Sequence, residues 1–406
     1  MDNNATTCVA PEVFEAITPY LKSEYFNPSS MYGPATGPAD AIARARKTVA
    51  RLLGNAHPAE ILFTSCATES NNTAVFGTIA ANPERRHIIT TTVEHPAIDT
   101  VARDLQRRGF EVDFIPVDTQ GRLDMADFVR ALRPDTLLVS VMHANNETGV
   151  IFPVAEMARL TKETDPSIVF HTDATQSVGK LQIDLRETHR HVDLLSFSGH
   201  KLHAPKGIGA LFIRRGTPCR PYLLGGHQED GRRGGTENVA YIVGLARALE
   251  LAMATREPDE GLVRTMRDRL QHELEGRIPY LQVNGGETER LSNTLNLSCH
   301  FIEGEGILYQ LSSHGICASS GSACTSGSLE PSHVLRAMKV PFTAIHGSVR
   351  FSLSRYNTDT EVDRVIEVFP TIVGNLRRLS PYWDPAGNRP RAEAMHMLTE
   401  SDATHV

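Results

Sequence analysis

The sequence predicts an α/β protein with a large domain, built on a mostly parallel seven-stranded sheet, and a smaller α+β domain. From about residue 60 to 215, short apolar runs rich in β-branched residues alternate with amphipathic helical stretches. From about residue 294, strand-like and helical segments follow one another in mixed order. The length of 406 residues also favours two domains, since single domains usually have about 100–200 residues.

Seven apolar runs are expected to form the large sheet. Nearly continuous apolar strands separated by helices are typical of a parallel sheet that helices cover on both faces. The predicted strands, in order, are residues 61–64, 88–91, 112–115, 137–140, 168–171, 194–197 and 209–213.

A helix predicted at about 239–256 marks the end of the large domain. A second helix, at about 259–276, leads to later strands expected at 294–298 and 348–353. The predicted tail is polar and lacks periodicity from about residue 384, so we expect it to fray. The predicted domains are 15–258 for the large domain, 1–14 with 259–380 for the small domain, and 381–406 for the C-terminal tail.

The composition argues against several classes of partner. Lys plus Arg number 41 against 48 Asp plus Glu, and the net charge of −7 disfavours nucleic acid. No apolar run approaches the ~20 residues that span a bilayer. The start Met1-Asp2-Asn3-Asn4 lacks the basic and apolar parts of a secretory signal. We therefore expect a cytoplasmic protein with reduced cysteines, and no His/Cys spacing indicates zinc.

Polar motifs follow several of the predicted strands, at the sheet edge where α/β proteins bind ligands. The turn at 64–72 has small residues that allow backbone N–H groups to approach an anion, and Thr68 adds a hydroxyl. An ordinary capped helix start explains this turn equally well. His95 could stack on a planar cofactor, although a lone histidine is more often structural. Turn chemistry alone accounts for residues 145–149.

Asp173 gives a stronger signal, because it ends the apolar run 168–171 and a buried carboxylate needs a partner. It could form a structural pair or cap a helix, or it could face the protonated ring nitrogen of pyridoxal phosphate. Lys201 follows the next strand in Ser196-Phe197-Ser198-Gly199-His200-Lys201 and could form a Schiff base once it loses its proton. Position alone does not separate Lys201 from Lys206.

Cys324 lies in a Gly/Ser-rich run at 319–328 that the other five cysteines do not share. Glycine and serine favour an exposed loop, and an exposed thiol suits a nucleophile that must reach two places. An ordinary surface cysteine is the simpler interpretation of this residue taken alone. A free thiol has a pKa of about 8.5, so catalysis would require activation of the thiolate.

Taken together, these motifs resemble the fold-type I pyridoxal-phosphate enzymes, and more closely the cysteine desulfurases of the NifS/IscS class. The resemblance runs from Asp2-Asn3-Asn4-Ala5-Thr6-Thr7 to about Ser380-Pro381, and its most specific parts are residues 198–201 and 320–326. Residues 201–207, 225–229 and 327–334 resemble the nitrogen-fixation branch, NifS. Two departures stand out: the usual short apolar strand before Asp2 is missing, and Cys66 replaces the commoner glycine.

The resemblance implies a role for each candidate residue. Lys201 matches the lysine that holds the cofactor, and Cys324 matches the residue that becomes a persulfide. Arg350 matches the clamp on the substrate carboxylate, with Asn27 on the substrate side. The remaining matches are Asp173 for the ring nitrogen, His95 for ring stacking, Asn146 and Gln176 for polar contacts to the ring, Ala67, Thr68, Ser198 and His200 for the phosphate, and Thr236 for a phosphate contact from the other subunit of a homodimer.

The implied activity is the removal of sulfur from L-cysteine, giving L-alanine and a persulfide on Cys324. The resemblance further implies a NifU-like scaffold as sulfur acceptor, nitrogenase maturation downstream, and at most a transient iron–sulfur contact at Cys324. Three alternatives are an aminotransferase, a selenocysteine lyase and a non-catalytic sulfur-transfer partner. An aminotransferase does not need the loop thiol, and the intact set Lys201, Asp173, His95 and Cys324 argues against a degenerate site.

Overall fold

In the computed structural model of the protein, the described residues are 1–320 and 331–394, and Cys324 lies outside them. The strands that the sequence predicts for the large domain are present and form one seven-stranded sheet in the order β1-β7-β6-β5-β4-β2-β3. These strands are β1 Ile61–Thr64, β2 His87–Thr91, β3 Glu111–Ile115, β4 Thr136–Ser140, β5 Val169–Asp173, β6 Leu194–Ser198 and β7 Gly209–Ile213.

The sheet is mostly parallel, as predicted, and only β7 runs antiparallel to its two neighbours, β1 and β6. Every residue of β2, β4, β5 and β6 is buried, because helices cover both faces of the sheet. At the edge, β3 alternates between exposed and partly buried positions. The central strands therefore bring their carboxyl ends to one enclosed edge.

Twelve helices of at least one turn occur among the described residues, and α1, α2 and α7 pack on the same face of the large sheet. The helices α3 and α4 cover the opposite face. Their bounds are α1 Pro11–Lys22, α2 Thr36–Leu52, α3 Ala67–Ala81, α4 Pro96–Arg107, α5 Met125–Ala131, α6 Val154–Thr164, α7 Val239–Ala254, α8 Arg256–Arg277, α9 Gly304–Ser313, α10 His333–Ala337, α11 Phe342–Ile345 and α12 Asp359–Leu379.

A second core lies under an antiparallel sheet in the order β10-β9-β8, with β8 Leu281–Val283, β9 Thr294–Cys299 and β10 Ser348–Ser352. The helices α8, α9 and α12 bury their apolar faces against it. Asp2 forms a parallel bridge to Ser352, so the first residues of the chain extend this small sheet. By contrast, α10 and α11 bury side chains in the core of the large domain. The domain boundaries stay a prediction.

The expectation that the chain frays from about residue 384 is wrong for residues up to 394. The short strands β11 Trp383–Asp384 and β12 Arg389–Pro390 form a hairpin. Trp383 and Ala394 are buried against Phe301, and the Arg377 guanidinium lies 4.5 Å from the centre of the Trp383 ring. Burial of one large aromatic side chain thus fixes a segment whose sequence lacks periodicity.

Within residues 1–320 and 331–394, no helix is both long and apolar enough to cross a lipid bilayer. The same residues contain no group of three or more His, Cys, Asp or Glu side chains arranged to hold a metal ion.

Candidate active site

The loops that follow the central strands open onto a cavity of about 480 Å³. The small domain contributes Arg350 from β10, and the chain start contributes Asn4 and Ala5. Ten residues predicted from the sequence line this cavity together: Ala67, Thr68, His95, Asn146, Asp173, Gln176, Ser198, His200, Lys201 and Arg350.

Lys201 ends a short helical turn that begins directly after β6. Its Nζ atom donates hydrogen bonds to the carbonyl oxygens of Asn4 at 2.5 Å and Ala5 at 2.8 Å. These contacts hold the amine at the cavity wall, whereas Lys206 is exposed to solvent. The structure therefore places Lys201 at the cavity and Lys206 outside it.

Asp173 is the last residue of β5 and is 6% exposed. Its Oδ2 atom accepts a hydrogen bond from Asn71 Nδ2 at 2.7 Å, and its Oδ1 atom accepts from the Thr175 N–H at 2.9 Å. Asn71 lies on α3 and lines the cavity, and the sequence analysis did not assign it a role. Two hydrogen-bond donors thus hold the carboxylate in one orientation, as a carboxylate that binds a ligand at a defined position requires.

His95 caps the N-terminus of α4, and its Nδ1 atom accepts a hydrogen bond from the Ala97 N–H at 3.1 Å. Burial lowers the pKa of His95, and the charges of Lys201 and His333 lower it further, while Asp173 opposes the shift. The ring is therefore neutral near pH 7. Because Nδ1 accepts, the ring proton is on Nε2.

The N-terminus of α3 and the end of β6 form a site suited to an anion. The first intrahelical bond of α3 runs from the Ser70 N–H to the Cys66 carbonyl, so the N–H groups of residues 67–69 have no acceptor within the helix. The Ser198 hydroxyl is buried and has no hydrogen-bond partner in the described part of the chain. A phosphate placed between these groups would satisfy both.

Two hydrogen bonds fix the orientation of the Gln176 side-chain amide. Its Nε2 atom donates to the Asn4 carbonyl at 3.1 Å, and its Oε1 atom accepts from Lys180 Nζ at 3.2 Å. Burial, and then the charge of Lys201, lower the pKa of Lys180 to about 7. The Asn4 carbonyl accepts from both Gln176 and Lys201, so the two predicted cofactor contacts share one backbone oxygen.

Arg350 lies at the other end of the cavity and is 2% exposed. Its Nη1 atom donates to the Asn146 carbonyl at 2.9 Å, and its Nη2 atom forms an ion pair with Asp2 at 2.8 Å. The Nε atom is buried and has no hydrogen-bond partner within residues 1–320 and 331–394. This unsatisfied donor fits an incoming carboxylate.

The residues that begin α10 form a further wall, which the sequence analysis did not assign. The Ser332 hydroxyl donates to Glu147 Oε2 at 2.5 Å, and His333 Nε2 donates to the Glu94 carbonyl at 2.8 Å. Burial raises the pKa of Glu147 to about 7, against the opposing effects of Ser332 and Arg350. Glu147 stands within the polar turn at 145–149, where its neighbour Asn146 was the residue singled out.

Two predicted site residues, Asn27 and Thr236, do not line the cavity of this single chain. Asn27 is exposed, and its side chain accepts a hydrogen bond from the Ser29 N–H at 2.9 Å. Thr236 is also exposed, which is compatible with the predicted contribution to another subunit. Cys324 lies outside the described residues. The roles of all three stay predictions.

Comparison with known proteins gives a family that spans most of the chain. The aminotransferase class-V family matches residues 1–365. A cysteine desulfurase of Trichormus azollae is 53% identical over 382 residues, which are 94% of each chain. The cysteine desulfurase NifS of Azotobacter vinelandii is 52% identical over 96% of each chain. The chain belongs to the cysteine desulfurases of the class-V aminotransferase family.

Two solved structures are similar to this chain over most of its length. A NifS-like protein superposes with a TM-score of 0.86 at 37% identity, covering 92% of this chain and 99% of its own. DndA from Streptomyces lividans superposes with a TM-score of 0.74 at 38% identity, covering 87% of this chain and 99% of its own. The predicted fold-type I architecture is thereby confirmed.

Cysteine desulfurases depend on pyridoxal phosphate as a family. The cavity fits this group at three places: the α3 N-terminus and the orphaned Ser198 hydroxyl suit its phosphate, Asp173 suits its ring nitrogen, and Lys201 suits its aldehyde.

Proposed function

We propose that this cysteine desulfurase binds pyridoxal phosphate on Lys201, takes sulfur from L-cysteine to leave L-alanine, and carries the sulfur as a persulfide on Cys324. One observation carries the proposal: Lys201, Asp173, His95 and an unsatisfied Ser198 hydroxyl line the same cavity as the buried guanidinium of Arg350. The relatives named cysteine desulfurase support the reaction class.

Bound pyridoxal phosphate would supply an electron sink that acidifies the α-carbon of the amino acid. Asn71 and Thr175 align the Asp173 carboxylate, which would accept a hydrogen bond from the protonated ring nitrogen. Ser198, His200, Ala67 and Thr68 would hold the phosphate with the partner subunit's Thr236, while Asn146 and Gln176 would contact the ring substituents.

Proton movements at the substrate fall to two groups with suitable positions. His95 is neutral near pH 7 and has Nδ1 engaged by the helix N-terminus, so Nε2 is the atom that exchanges a proton. Lys201 Nζ reaches the same cavity and acts as the second acid–base group. At the far wall, Arg350 would bind the substrate carboxylate with its Nε–H, and Asn27 is proposed to line the substrate side.

The attachment of the Cys324 segment supports its role as sulfur carrier. Ser319 pairs with the backbone of Arg350 in both directions, at 2.6 and 3.2 Å, and Pro331 lines the cavity. Five residues of chain span at most ~18 Å, so Cys324 cannot be farther than that from Ser319. The Cys324 thiolate would attack the substrate sulfur. The sulfur–carbon bond then breaks, its electron pair stays on carbon, and protonation yields alanine.

The downstream use of the sulfur is proposed from the NifS likeness. We propose delivery to a NifU-like iron–sulfur scaffold, with nitrogenase maturation as the outlet and only a transient iron–sulfur contact at Cys324. The cysteine desulfurase NifS of Azotobacter vinelandii supports this branch. A cytoplasmic location and a homodimer complete the proposal.

One experiment tests these assignments together. Purified protein loaded with pyridoxal phosphate is examined by absorbance before and after L-cysteine, and alanine and protein persulfide are measured in the same sample. We expect a visible band that changes on addition, equal amounts of alanine and transferred sulfur, and a persulfide that maps to Cys324. A Cys324→Ala control should keep the band and lose the persulfide. Sulfide release from that variant at the normal rate would refute the carrier role.

A further inference from the structure

Asp2 uses both carboxylate oxygens beside Arg350, which lines the substrate end of the cavity. Its Oδ1 atom accepts from Arg350 Nη2 at 2.8 Å, and its Oδ2 atom accepts from the Ser319 hydroxyl at 2.8 Å. The Asp2 side chain is 21% exposed and the Arg350 side chain 3% exposed. A carboxylate of the protein itself therefore pairs with the guanidinium that would bind the carboxylate of the amino acid.

The pair follows from the cost of burying charge. A buried guanidinium without an anion is strongly unfavourable, so Asp2 stabilises the substrate-free site. Arg350 Nη1 is occupied by the Asn146 carbonyl, and the buried Nε–H is the donor left without a partner in the described chain. An α-carboxylate that binds there adds a second negative charge beside Asp2, because both share one cation.

Ser319 keeps Asp2 in place during such an exchange. The Ser319 hydroxyl holds the second oxygen of Asp2, and the Ser319 backbone is paired with that of Arg350. Asp2 can therefore weaken its contact with Arg350 without leaving the site. It remains available to pair fully again when the amino acid departs.

We propose that Asp2 is a built-in competitor of the substrate carboxylate, a positioning residue that holds Arg350 ready and limits how tightly cysteine and product alanine bind. The proposal rests on the proposed function, because it takes Arg350 as the carboxylate clamp. Competition by Asp2 would favour product release, since alanine carries the same α-carboxylate as cysteine and must leave the same guanidinium.

The test compares charge and length at position 2 in a Cys324→Ala background, where turnover is blocked and binding can be titrated. Asp2→Asn keeps an oxygen acceptor for Arg350 but removes the charge. Asp2→Gln and Asp2→Glu form a second neutral and charged pair of equal length. Cysteine affinity is measured from the absorbance change of the cofactor-loaded protein, with cysteamine, which lacks the carboxylate, as the matched ligand.

We expect Asp2→Asn to bind cysteine roughly threefold to tenfold tighter than the Asp2 parent, because the neutral side chain no longer repels the bound α-carboxylate. Asp2→Gln should likewise bind cysteine more tightly than Asp2→Glu. Alanine should follow cysteine, and cysteamine affinity should not change. If one neutral variant fails to fold, the other pair still decides the question.

Unchanged or weaker cysteine binding in the neutral variants would overturn the competitor role. An equal change for cysteine and cysteamine would do the same, because it would show a general structural effect. If the Asp2 parent gave no absorbance response to cysteine at all, the proposed function would fail instead. The two failures are therefore distinguishable.

Discussion

At the residue scale, Lys201 and Lys206 have opposite surroundings although they are neighbours in sequence. Lys201 Nζ is hydrogen-bonded to two backbone carbonyls at the cavity wall, whereas Lys206 lies in solvent. An amine that must attack the aldehyde of a bound cofactor has to lie at the cavity, and of these two lysines Lys201 is the one that does. We therefore predict that the loss of Lys201, and not of Lys206, abolishes cofactor attachment.

We predict that Lys201→Ala, incubated with pyridoxal phosphate and desalted, shows no visible absorbance band. Lys206→Ala should keep the band at full intensity, because that side chain does not reach the cavity. Absorbance spectra normalised to protein concentration give the measurement. A band of normal intensity in Lys201→Ala, or its loss in Lys206→Ala, would show that the assignment is wrong.

The site residues that sequence reasoning found are those with a local signal. Asp173 is visible because an apolar strand runs directly into a carboxylate. Asp2 and Glu147 were missed because their partners, Arg350 and Ser332, are far away along the chain. No spacing rule reports a contact between residues that only the tertiary fold brings together.

At the element scale, an ion pair joins α2 to the loop that leads toward Thr236. Arg46 donates to both oxygens of Glu229, at 2.7 and 2.6 Å, and Glu229 also accepts from the Phe63 N–H of β1 at 3.0 Å. The Glu229 side chain is 3% exposed. The pair thus connects a helix, a strand and a loop at a buried carboxylate.

Loss of the Arg46 guanidinium removes the cation that donates two hydrogen bonds to this buried carboxylate. We predict that Arg46→Ala lowers the free energy of unfolding by about 3 kcal/mol, measured by urea titration and circular dichroism. The exposed Arg159, which pairs with Glu156 on α6, provides the control, and Arg159→Ala should lower the free energy of unfolding far less, because solvent screens this pair. Similar losses in both variants would contradict the special role of burial.

Most large-domain strands could be predicted closely because burial on both faces makes them apolar runs, and the edge strand β3 is the exception. The direction of β7 could not, since an apolar run such as Gly209–Ile213 reads the same in a parallel or antiparallel sheet. The ordered structure of residues 384–394 could not be predicted for a different reason. Their packing depends on Trp383 meeting Phe301, a long-range contact.

At the scale of the whole molecule, buried histidines make stability depend on pH. Burial lowers the pKa of five histidines in the folded protein to about 3 or 4, below the unfolded value of about 6.5. Below pH 6.5 the unfolded chain binds more protons at these groups, so their contribution to stability is lost as the pH falls. The five residues are His143, His171, His200, His203 and His300.

Two buried carboxyl groups make the fold more stable as the pH falls, but the five histidines outnumber them. Burial raises the pKa of Glu94 to about 8 and that of Glu147 to about 7, so their protonated forms stabilise the fold at lower pH. We predict that the Tm falls by roughly 5 °C or more between pH 7 and pH 5. His171→Gln should show a smaller fall. A Tm that is constant or rises toward pH 5 would contradict the prediction.

An exposed apolar patch lies beside the residue proposed to contact the other subunit of the homodimer. Tyr222, Leu223 and Leu224 are 47%, 43% and 81% exposed, and the Leu223 carbonyl accepts from Gly234 in the segment that carries Thr236. An exposed apolar patch beside a predicted inter-subunit contact is suited to association with a second copy.

Mixed dimers test whether Thr236 serves the opposite subunit. Lys201→Ala and Thr236→Val chains each give a defective homodimer, but their mixed dimer contains one site with both residues intact. We predict that random mixing restores roughly a quarter of wild-type desulfurase activity at limiting cofactor. If Thr236 acted within its own chain, mixing would restore nothing beyond the average of the separate proteins.

The contact between Asp2 and Arg350 joins the second residue of the chain to one 348 positions later. During synthesis, β1 to β7 and Lys201 leave the ribosome long before β10 exists, and large domains fold as they emerge. A nascent chain therefore holds Lys201, Asp173 and Ser198 while it still lacks the group proposed to recognise an amino acid. Under this proposal substrate recognition is the last property of the site to appear, and an unfinished chain cannot yet clamp cysteine through Arg350.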